Sequence, residues 1–244
     1  SIPRMKFWRE LFGNIPDKMK FIFVSQYFAD EVMEDVGLKL NESKYKIVHN
    51  PIDTMMFNYV EKTIEHRKRI LSIRPFASMK YANDLTVKAI LELSKSKYFN
   101  EFEIMIVGDG RLFDETLEPL QKFSNVTIKR GFLSHKEISS LHEEYGIFVT
   151  PTRMDSQGVS RDEAMSSGLV PVTTEITAIP EFVDDNCGVL TPPEDYKSIS
   201  AGILELYDNP ERFLEMSENA SNRVRNQTDS KLIIEAELRI IDGD

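Results

Sequence analysis

The feature that most constrains the fold of this chain is a regular alternation of short apolar runs with longer amphipathic stretches. Such alternation is typical of strands and helices that follow one another and build a parallel sheet. The predicted strands are Lys20–Ser25, Tyr45–His49, Arg69–Arg74, Phe102–Val107, Val126–Lys129, Gly146–Thr150, Leu169–Thr173 and Gly188–Leu190. The predicted helices are Gln26–Gly37, Tyr81–Lys95, Arg111–Lys122, His135–Glu144, Val159–Ser167, Tyr196–Tyr207, Pro210–Asn226 and Ser230–Ile241. The sequence therefore predicts an α/β fold with a doubly wound parallel sheet.

Charge and composition exclude several classes of protein. The 244 residues carry 40 acidic and 30 basic side chains, and a net charge of −10 argues against binding of nucleic acid through a basic face. The single cysteine, Cys187, excludes a disulfide within the chain and any paired-cysteine zinc site, and it fits a reducing, cytoplasmic compartment. No apolar run approaches the roughly 18 residues that cross a bilayer. The first residues also lack the apolar core of a signal peptide.

The domain organisation follows from one polar, irregular segment at residues 50–69, which we interpret as a linker. The six predicted strands from Arg69 onward suffice for one complete doubly wound sheet, whereas the two before it have too little chain for a domain of their own. The chain also begins without Met, so we expect it to be a piece of a longer protein. We therefore divide it into residues 1–57, the remnant of a preceding domain, residues 58–228, the sheet domain, and a C-terminal helix at 229–244.

The position of a ligand can be predicted from the sheet alone. In a doubly wound sheet of order 3-2-1-4-5-6, ligands bind beyond the carboxyl ends of the first and fourth strands. If this sheet has that order, the two loops concerned are RPFASMK at 74–80 and PTRMDSQGVSRDEAM at 151–165. These are the two loops of the chain that are richest in reactive side chains.

The residue types in these loops suit a diphosphate. Gly158 allows a ligand to approach the backbone, and the free amides at the start of the following helix favour an anion. Arg74 and Lys80 place two cations opposite that helix, which suits a diphosphate bound without a metal ion. Asp155 and Glu163 are candidates for gripping hydroxyl groups on either side of it. The alternative is that Asp155 is a turn residue and Glu163 a solvated helix residue.

The pattern around these residues resembles the C-terminal half of a retaining glycosyltransferase of GT-B fold, in the group called glycosyltransferase family 4 or group 1. The family pattern is an acidic pair separated by seven residues and followed by AM-x-x-G-x-P-V, and here Asp155, Glu163, Ala164-Met165 and Gly168-Leu-Val-Pro-Val172 match it. Further matches in family order are Val24-Ser25, His49–Asp53, Phe57, Arg74, Lys80, Gly108-Asp109-Gly110, Gly131-Phe132 and Pro180-Glu181. The sheet is then expected to be Rossmann-like.

The resemblance implies roles for individual residues. Glu163 would bind ribose hydroxyls of a nucleotide sugar, Asp155 would bind the donor sugar, and Arg74 and Lys80 would stabilise the departing diphosphate. The backbone of Gln157, Gly158 and Val159 would contact the sugar and the β-phosphate. The segment Gly131, Phe132 and Leu133 would lie beside the base, and Gly108, Asp109 and Gly110 would line the donor cleft, although as a plain strand-to-helix turn they would look the same.

The resemblance also implies a reaction and its partners. We expect transfer of a sugar from a UDP- or GDP-linked donor to an unknown acceptor with retention of configuration, in polysaccharide or glycoconjugate synthesis, without metal or other cofactor. Residues 1–57 would belong to the acceptor domain, the C-terminal helix would pack back on that domain, and the isolated piece would be inactive. Peripheral membrane contact of the full-length protein is a further expectation. The alternatives are a non-catalytic module that binds a nucleotide sugar and, more remotely, a nucleotide-sugar epimerase.

Three departures from the family pattern concern the sugar and the loops. The first acidic position is Asp155 rather than Glu, the spacing from Arg74 to Lys80 is one residue longer than usual, and Thr177-Ala178-Ile179 stands where Gly-Gly usually precedes the Pro-Glu pair.

The sequence motifs of other ligand-binding sites are missing: there is no third glycine for NAD, no G-x4-GK-[ST] loop for ATP, and no His or Cys spacing for zinc. Met154 and Met165 are expected to pack in the core.

Overall fold

A computed structural model describes residues 2–242 of the chain. The first part is a small unit in which helix α1 (Ile2–Gly13) and helix α2 (Gln26–Val36) pack with strands β1 (Phe21–Phe23) and β2 (Tyr45–Ile47). The two strands are parallel, and Phe21 lies beside Tyr45. Ser25 caps α2 by accepting a hydrogen bond from the Phe28 amide, and Gly37 ends the helix in the left-handed conformation.

The larger part is a six-stranded parallel sheet with helices on both faces. Its strands are β3 (Arg69–Ile73), β4 (Glu103–Gly108), β5 (Val126–Arg130), β6 (Ile147–Val149), β7 (Val170–Thr174) and β8 (Val189–Thr191). The helices that accompany them are α3 (Asn83–Leu93), α4 (Phe113–Leu117), α5 (His135–Glu144), α6 (Val159–Ser166), α7 (Ile179–Phe182) and α8 (Tyr196–Asp208). Helices α9 (Pro210–Gln227) and α10 (Ser230–Asp242) follow.

The strand order is β5-β4-β3-β6-β7-β8, which is 3-2-1-4-5-6 when counted from β3. The predicted doubly wound α/β fold is therefore confirmed. From β3 the chain first adds strands on one side of the sheet, up to β5, and then adds β6 to β8 on the other side. The loops that follow the neighbouring strands β3 and β6 therefore lie next to each other at the carboxyl edge of the sheet. The sequence predicts a ligand at this position.

All eight predicted strands are present, but several helical predictions need correction. Helix α3 begins at Asn83 rather than Tyr81 because Ala82 adopts a positive φ of 50°, which interrupts the helix. The stretch 111–122 contains only the short helix α4 and a 3₁₀ turn, and Pro119 lies in that turn. Helices α1 and α7 are absent from the sequence prediction.

The segment at 50–69 is irregular but not simply a solvated linker. Ile52 and Phe57 are almost fully buried, and Ile52 exchanges backbone hydrogen bonds with the chain just before α10. Residues Ile64–Lys68 form a 3₁₀ helix, in which the Nε of Arg67 donates to the carbonyl of Tyr207. The basic run is therefore tied to the sheet domain instead of being free in solvent.

Helix α10 leaves an apolar surface uncovered in this structure. Ile233 is buried, whereas Leu232, Ile234, Leu238 and Ile241 are exposed. Within residues 2–242, no helix combines the length and the apolar character that crossing a membrane requires.

Candidate functional site

A cavity of about 550 Å³ opens between the loops that follow β3 and β6. Its walls come from five regions: the β3 loop, the end of β4, the loop before α6, the β5–α5 connection with α5, and two positions in the first part of the chain. The lining residues are Phe28, Asn50, Ile73, Arg74, Pro75, Lys80, Tyr81, Gly108, Gly131, Phe132, Leu133, Ile138, Met154, Asp155, Ser156, Gln157, Gly158, Val159 and Ser160. The two loops predicted from the strand order are thus the two main walls.

Arg74 is a buried cation with unused hydrogen-bonding groups. It follows the last residue of β3 and is only 6% exposed. Its Nε and Nη2 have no hydrogen-bond partner in the part of the chain that the structure describes. Burial lowers the pKa of its guanidinium, and the nearby Asp155 carboxylate only partly opposes this. A desolvated cation of this kind is stabilised by an anion that enters the cavity.

The glycine run after β4 holds the backbone of the Arg74 loop in place. The Arg74 amide donates to the carbonyl of Val107, and the Phe76 amide donates to the carbonyl of Asp109. A Cβ atom on Gly108 would collide with the Arg74 carbonyl oxygen, and one on Gly110 would collide with the Phe76 carbonyl group. Both glycines are therefore required for packing, and Gly108 also lines the cavity.

Tyr81 joins the two cations of the first loop. Its ring centroid lies 5.2 Å from Cζ of Arg74 and 4.9 Å from Nζ of Lys80. Both distances fall within the range of a cation–π interaction. Tyr81 also lines the cavity, although the sequence does not single it out.

The loop before α6 presents amide groups to the cavity. Gly158 has a φ of 98° and directly precedes the helix. Among the described residues, the amides of Gly158, Val159 and Ser160 make no hydrogen bond within the protein. Free amides at a helix start carry partial positive charge and bind anions. They line the same cavity as Arg74 and Lys80, so two sources of positive potential surround one space.

Asp155 is fixed by a residue from the loop that follows β7. Its backbone amide donates to Thr177 Oγ1 at 3.1 Å, and that hydroxyl donates to the Asp155 carbonyl at 2.7 Å. One carboxylate oxygen also accepts from the Gln157 amide at 3.2 Å. Thr177 itself adopts a positive φ of 50°, which is unfavourable for a β-branched residue. In the stretch where the family pattern has Gly-Gly, this chain thus has Thr177, and the hydroxyl of Thr177 holds the Asp155 backbone.

Two buried charged residues at the start of α6, Arg161 and Asp162, hold the loop that precedes this helix. Arg161 donates to the Gln157 carbonyl at 2.5 Å and to the Asp162 carboxylate at 2.6 Å, and both side chains are almost fully buried. Burial raises the pKa of Asp162, and the guanidinium of Arg161 opposes that effect. The sequence predicts neither residue, because a buried ion pair inside a helix start has no distinct sequence pattern.

Glu163 lies beside the cavity rather than in its wall. It is half-buried on α6, at helical spacing from Val159 and Ser160, which do line the cavity. Burial raises the pKa of Glu163 to about 7, although the charge of His135 acts to lower it. Its carboxylate makes no hydrogen bond to any described residue of the chain, so it is available to a ligand.

The segment predicted to lie beside a base forms the outer rim of the cavity. Gly131, Phe132 and Leu133 all line it, and the Phe132 side chain is 83% exposed. Asp109 instead points to Arg130, whose Nε lies 3.0 Å from its Oδ1. Asp109 and Gly110 therefore do not line the cavity, and their backbone contacts the loop that follows β3.

One prediction about packing is wrong. Met154 is 54% exposed and lines the cavity, whereas Met165 is fully buried as predicted. Phe28 and Asn50 also reach the cavity from the first part of the chain, and only the folded chain brings them there. In residues 2–242 the structure contains no cluster of three His, Cys, Asp or Glu side chains that could hold a metal ion.

Comparison with known families agrees with this architecture. The model for glycosyl transferases group 1 matches residues 67–209, which is more than half of the chain. The chain belongs to the group 1 glycosyltransferase family. The match covers β3 through α8 and therefore both loops that wall the cavity.

Individual relatives are distant and longer. The chain is 22% identical over 212 residues to the MMP alpha-(1->4)-mannosyltransferase of Mycolicibacterium hassiacum, covering 84% of this chain and 49% of the relative. It is 26% identical over 156 residues to the GtfA subunit of a UDP-N-acetylglucosamine–peptide N-acetylglucosaminyltransferase from Streptococcus pneumoniae, covering 63% and 30%. The chain thus spans about a third to half of the length of these curated relatives.

Solved structures share the GT-B fold with this chain. A mutant of S. aureus TarM, in complex with Fondaparinux, alpha-GlcNAc-glycerol and UDP, superposes with a TM-score of 0.79 at 20% identity, covering 96% of this chain and 45% of TarM. Anabaena Alr3699/HepE, in complex with UDP and glucose, gives 0.79 at 14% identity, covering 100% and 68%. At these identities the likeness concerns the fold.

Proposed function

We propose that this chain is the donor-binding part of a retaining glycosyltransferase that uses a nucleotide-diphosphate sugar. The observation that carries the proposal is the buried guanidinium of Arg74, which has two unpartnered nitrogens at a cavity wall within the described residues. The free amides at the start of α6 line the same cavity. This arrangement suits a diphosphate, which carries negative charge and many acceptor oxygens.

The assignment of the other residues is the one that the family resemblance implies. The diphosphate would lie between Arg74, Lys80 and the amides of Gly158 and Val159. The base would lie along Gly131–Leu133, the ribose would reach the carboxylate of Glu163, and the donor sugar would extend toward Asp155. Two structural neighbours were solved in complex with UDP, and this supports a uridine nucleotide. GDP is the other candidate from the sequence.

The reaction requires stabilisation of charge rather than a protein nucleophile. When the bond between the anomeric carbon and the phosphate oxygen breaks, its electron pair stays on the departing diphosphate. The acceptor hydroxyl attacks from the same side, its oxygen forms the new glycosidic bond, and its proton passes to the departing phosphate. Fixed cations and amides aimed at the diphosphate favour this step, because they oppose the charge as it develops.

The domain arrangement completes the proposal. Residues 1–57 would be the end of an acceptor-binding domain, residues 58–228 the donor domain, and the exposed apolar face of α10 would pack against the acceptor domain. The full-length protein would then carry out the transfer, in polysaccharide or glycoconjugate synthesis, and the isolated piece would bind the donor nucleotide only.

A thermal-shift panel tests the ligand class. The chain is heated with UDP, GDP and NAD, each at the same concentration. A ligand present at 100 times its Kd raises the free energy of unfolding by about 2.7 kcal/mol. We expect a higher Tm with UDP or GDP and no change with NAD. No shift with either nucleoside diphosphate would contradict the proposal.

A further inference from the structure

A single side chain, Arg153, connects three loops at the edge of the cavity. Its Nη1 donates to the Met79 carbonyl at 2.7 Å and to Asp84 Oδ1 at 2.8 Å, and its Nη2 donates to Asp84 Oδ2 at 3.0 Å. Its Nε and Nη2 also donate to the two carboxylate oxygens of Glu194, at 2.6 and 2.8 Å. Both edges of the guanidinium are therefore occupied by bidentate carboxylates.

The backbone of the same residue holds Lys80. The Arg153 amide donates to the Lys80 carbonyl at 2.9 Å, and Thr152 Oγ1 donates to that carbonyl at 3.2 Å. Together with the side-chain bond to Met79, these contacts fix two successive carbonyls of the turn Met79–Tyr81. The turn that carries Lys80 is thus tied to the opposite wall of the cavity.

Arg153 is not itself placed to bind an anion. It does not line the cavity, and the carboxylates of Asp84 and Glu194 neutralise its charge. Hydrogen bonds to these carboxylates hold the pKa of Arg153 above its ordinary value. Burial acts to raise the pKa of Asp84, but Arg153 and Lys88 outweigh it and hold that pKa below its ordinary range. The contacts of Arg153 therefore hold the turn that carries Lys80 and leave the guanidinium no free edge for a ligand.

Backbone strain marks the same contacts. Among the described residues, the non-glycine residues with positive φ are Ala82, Thr177 and Glu194. Ala82 ends the turn that carries Lys80, Glu194 binds Arg153, and Thr177 holds the Asp155 backbone. Such conformations are costly and persist where surrounding contacts over-determine them, typically at functional sites. Ala82 adjoins a loop that lines the cavity, whereas Thr177 and Glu194 lie outside its wall and contact the loop that carries Met154 and Asp155.

We propose that Arg153 is a positioning residue that, through Asp84 and Glu194, holds Lys80 where it meets the diphosphate. The proposal rests on the proposed function, since it assumes that Lys80 binds a diphosphate. It accounts for a neutralised arginine beside an anion cavity, and it assigns a purpose to the strained backbone of Glu194. It also extends the site to Glu194, which lies 114 residues after Lys80 in the chain.

A double-mutant cycle separates positioning from simple stabilisation of the fold. The probe is UDP or GDP, whichever gives the larger thermal shift, and the measurement is its Kd by calorimetry for wild type, Arg153→Met, Lys80→Ala and the double variant. We expect Arg153→Met to weaken binding by about threefold to tenfold. The double variant should bind no more weakly than Lys80→Ala alone, because Arg153 acts through Lys80.

Glu194→Gly supplies a variant that keeps the fold. Glycine relieves the positive φ, so the Tm should not fall, while the lost carboxylate frees Arg153 and weakens nucleotide binding. The matched control is Arg67→Met, because Arg67 is also a mostly buried, hydrogen-bonded arginine but precedes β3 at the opposite edge of the sheet. It should leave the Kd unchanged.

The outcomes distinguish this proposal from the proposed function. If the wild-type chain binds neither UDP nor GDP, the proposed function fails and this inference fails with it. If the wild-type chain binds one of them, but the losses from Arg153→Met and Lys80→Ala multiply in the double variant, only the positioning role is overturned. A Kd that is unchanged in both Arg153→Met and Glu194→Gly would overturn it as well.

Discussion

The side-chain amide of Gln157 pairs with the backbone of Asn50 at both ends. Its Oε1 accepts from the Asn50 amide at 2.6 Å, and its Nε2 donates to the Asn50 carbonyl at 3.0 Å. A further bond runs from Nε2 to the buried carboxylate of Asp162. One side chain therefore fastens the segment after β2 to the loop that precedes α6.

Replacing Gln157 by Ala is expected to lower the free energy of unfolding by about 2–3 kcal/mol, because it leaves buried polar groups without partners. Urea denaturation of the two proteins measures the difference. Gln121→Ala is the control, since Gln121 is exposed and its side chain makes no hydrogen bond among the described residues. A loss below about 0.5 kcal/mol for Gln157→Ala would show that the pairing does not hold these segments together.

Glu181 links the two parts of the chain at a second point. Its carboxylate accepts from the backbone amides of Gln26 and Tyr27 at the start of α2, at 2.9 and 2.6 Å. In Glu181→Gln these amides lose a charged acceptor at a helix start, so their hydrogen exchange should accelerate. Asp195→Asn, which alters the equivalent cap of α8, should leave the exchange of Gln26 and Tyr27 unchanged. Equal exchange in Glu181→Gln and wild type would contradict the link.

The pKa of Glu163 predicts how stability depends on pH. Burial raises this pKa to about 7 in the folded chain, so between about pH 4.5 and 7 the folded state holds a proton that the unfolded state releases. The contribution of this group to the free energy of unfolding therefore falls as pH rises through that window. Glu163→Gln should remove that fall, which urea denaturation at about pH 5 and about pH 8 would detect. Parallel pH profiles for the two proteins would refute the shift.

The same group predicts the pH dependence of nucleotide binding. In the proposed complex, ionised Glu163 would accept hydrogen bonds from two ribose hydroxyls, so the ratio of wild-type affinity to Glu163→Gln affinity should rise as pH passes through about 7. The ratio is used because ionisation of the diphosphate affects both proteins alike. His135→Asn should move the rise to higher pH, since the charge of His135 acts to lower the pKa of Glu163. A ratio independent of pH would remove Glu163 from the ribose site.

Turnover of the full-length enzyme tests the role of Lys80. Lys80→Ala is expected to lower kcat by at least about tenfold, which corresponds to ~1.4 kcal/mol of lost transition-state stabilisation. Steady-state release of nucleoside diphosphate, with donor and acceptor both saturating, measures it. Lys97→Ala serves as the control, because Lys97 lies beyond the far end of α3. Unchanged turnover in Lys80→Ala would contradict the assignment.

Much of this architecture follows from the sequence because its causes are local. Apolar runs set the strands, and the strand order follows from the general rule for doubly wound sheets, which in turn brings Arg74 and Gly158 to one edge. Gly158 and Gly168 adopt a positive φ, a conformation that glycine reaches without strain. The turn at Ala82 could not be predicted, since alanine gives no sign of a left-handed backbone.

Other parts of the site depend on contacts between distant segments. Phe28 and Asn50 reach the cavity from the first part of the chain, and although Asn50 lies in a segment that matches the family pattern, neither residue is predicted to line the cavity. Glu194 meets Arg153 across 41 positions, and neither this contact nor the positive φ of Glu194 has a local sequence signal. Met154 is exposed because it sits in a loop that surrounds a cavity, although methionine usually packs in a core.

The central claim is that Arg74 is kept buried and unpartnered in order to hold a diphosphate, and Arg74→Met tests it most directly. An unpartnered buried cation carries a desolvation cost that a buried Met does not, so the free energy of unfolding of the unliganded chain should stay equal or rise. Calorimetry should at the same time show at least about tenfold weaker binding of UDP or GDP. A variant that is less stable yet binds the nucleotide as tightly as wild type would contradict the account.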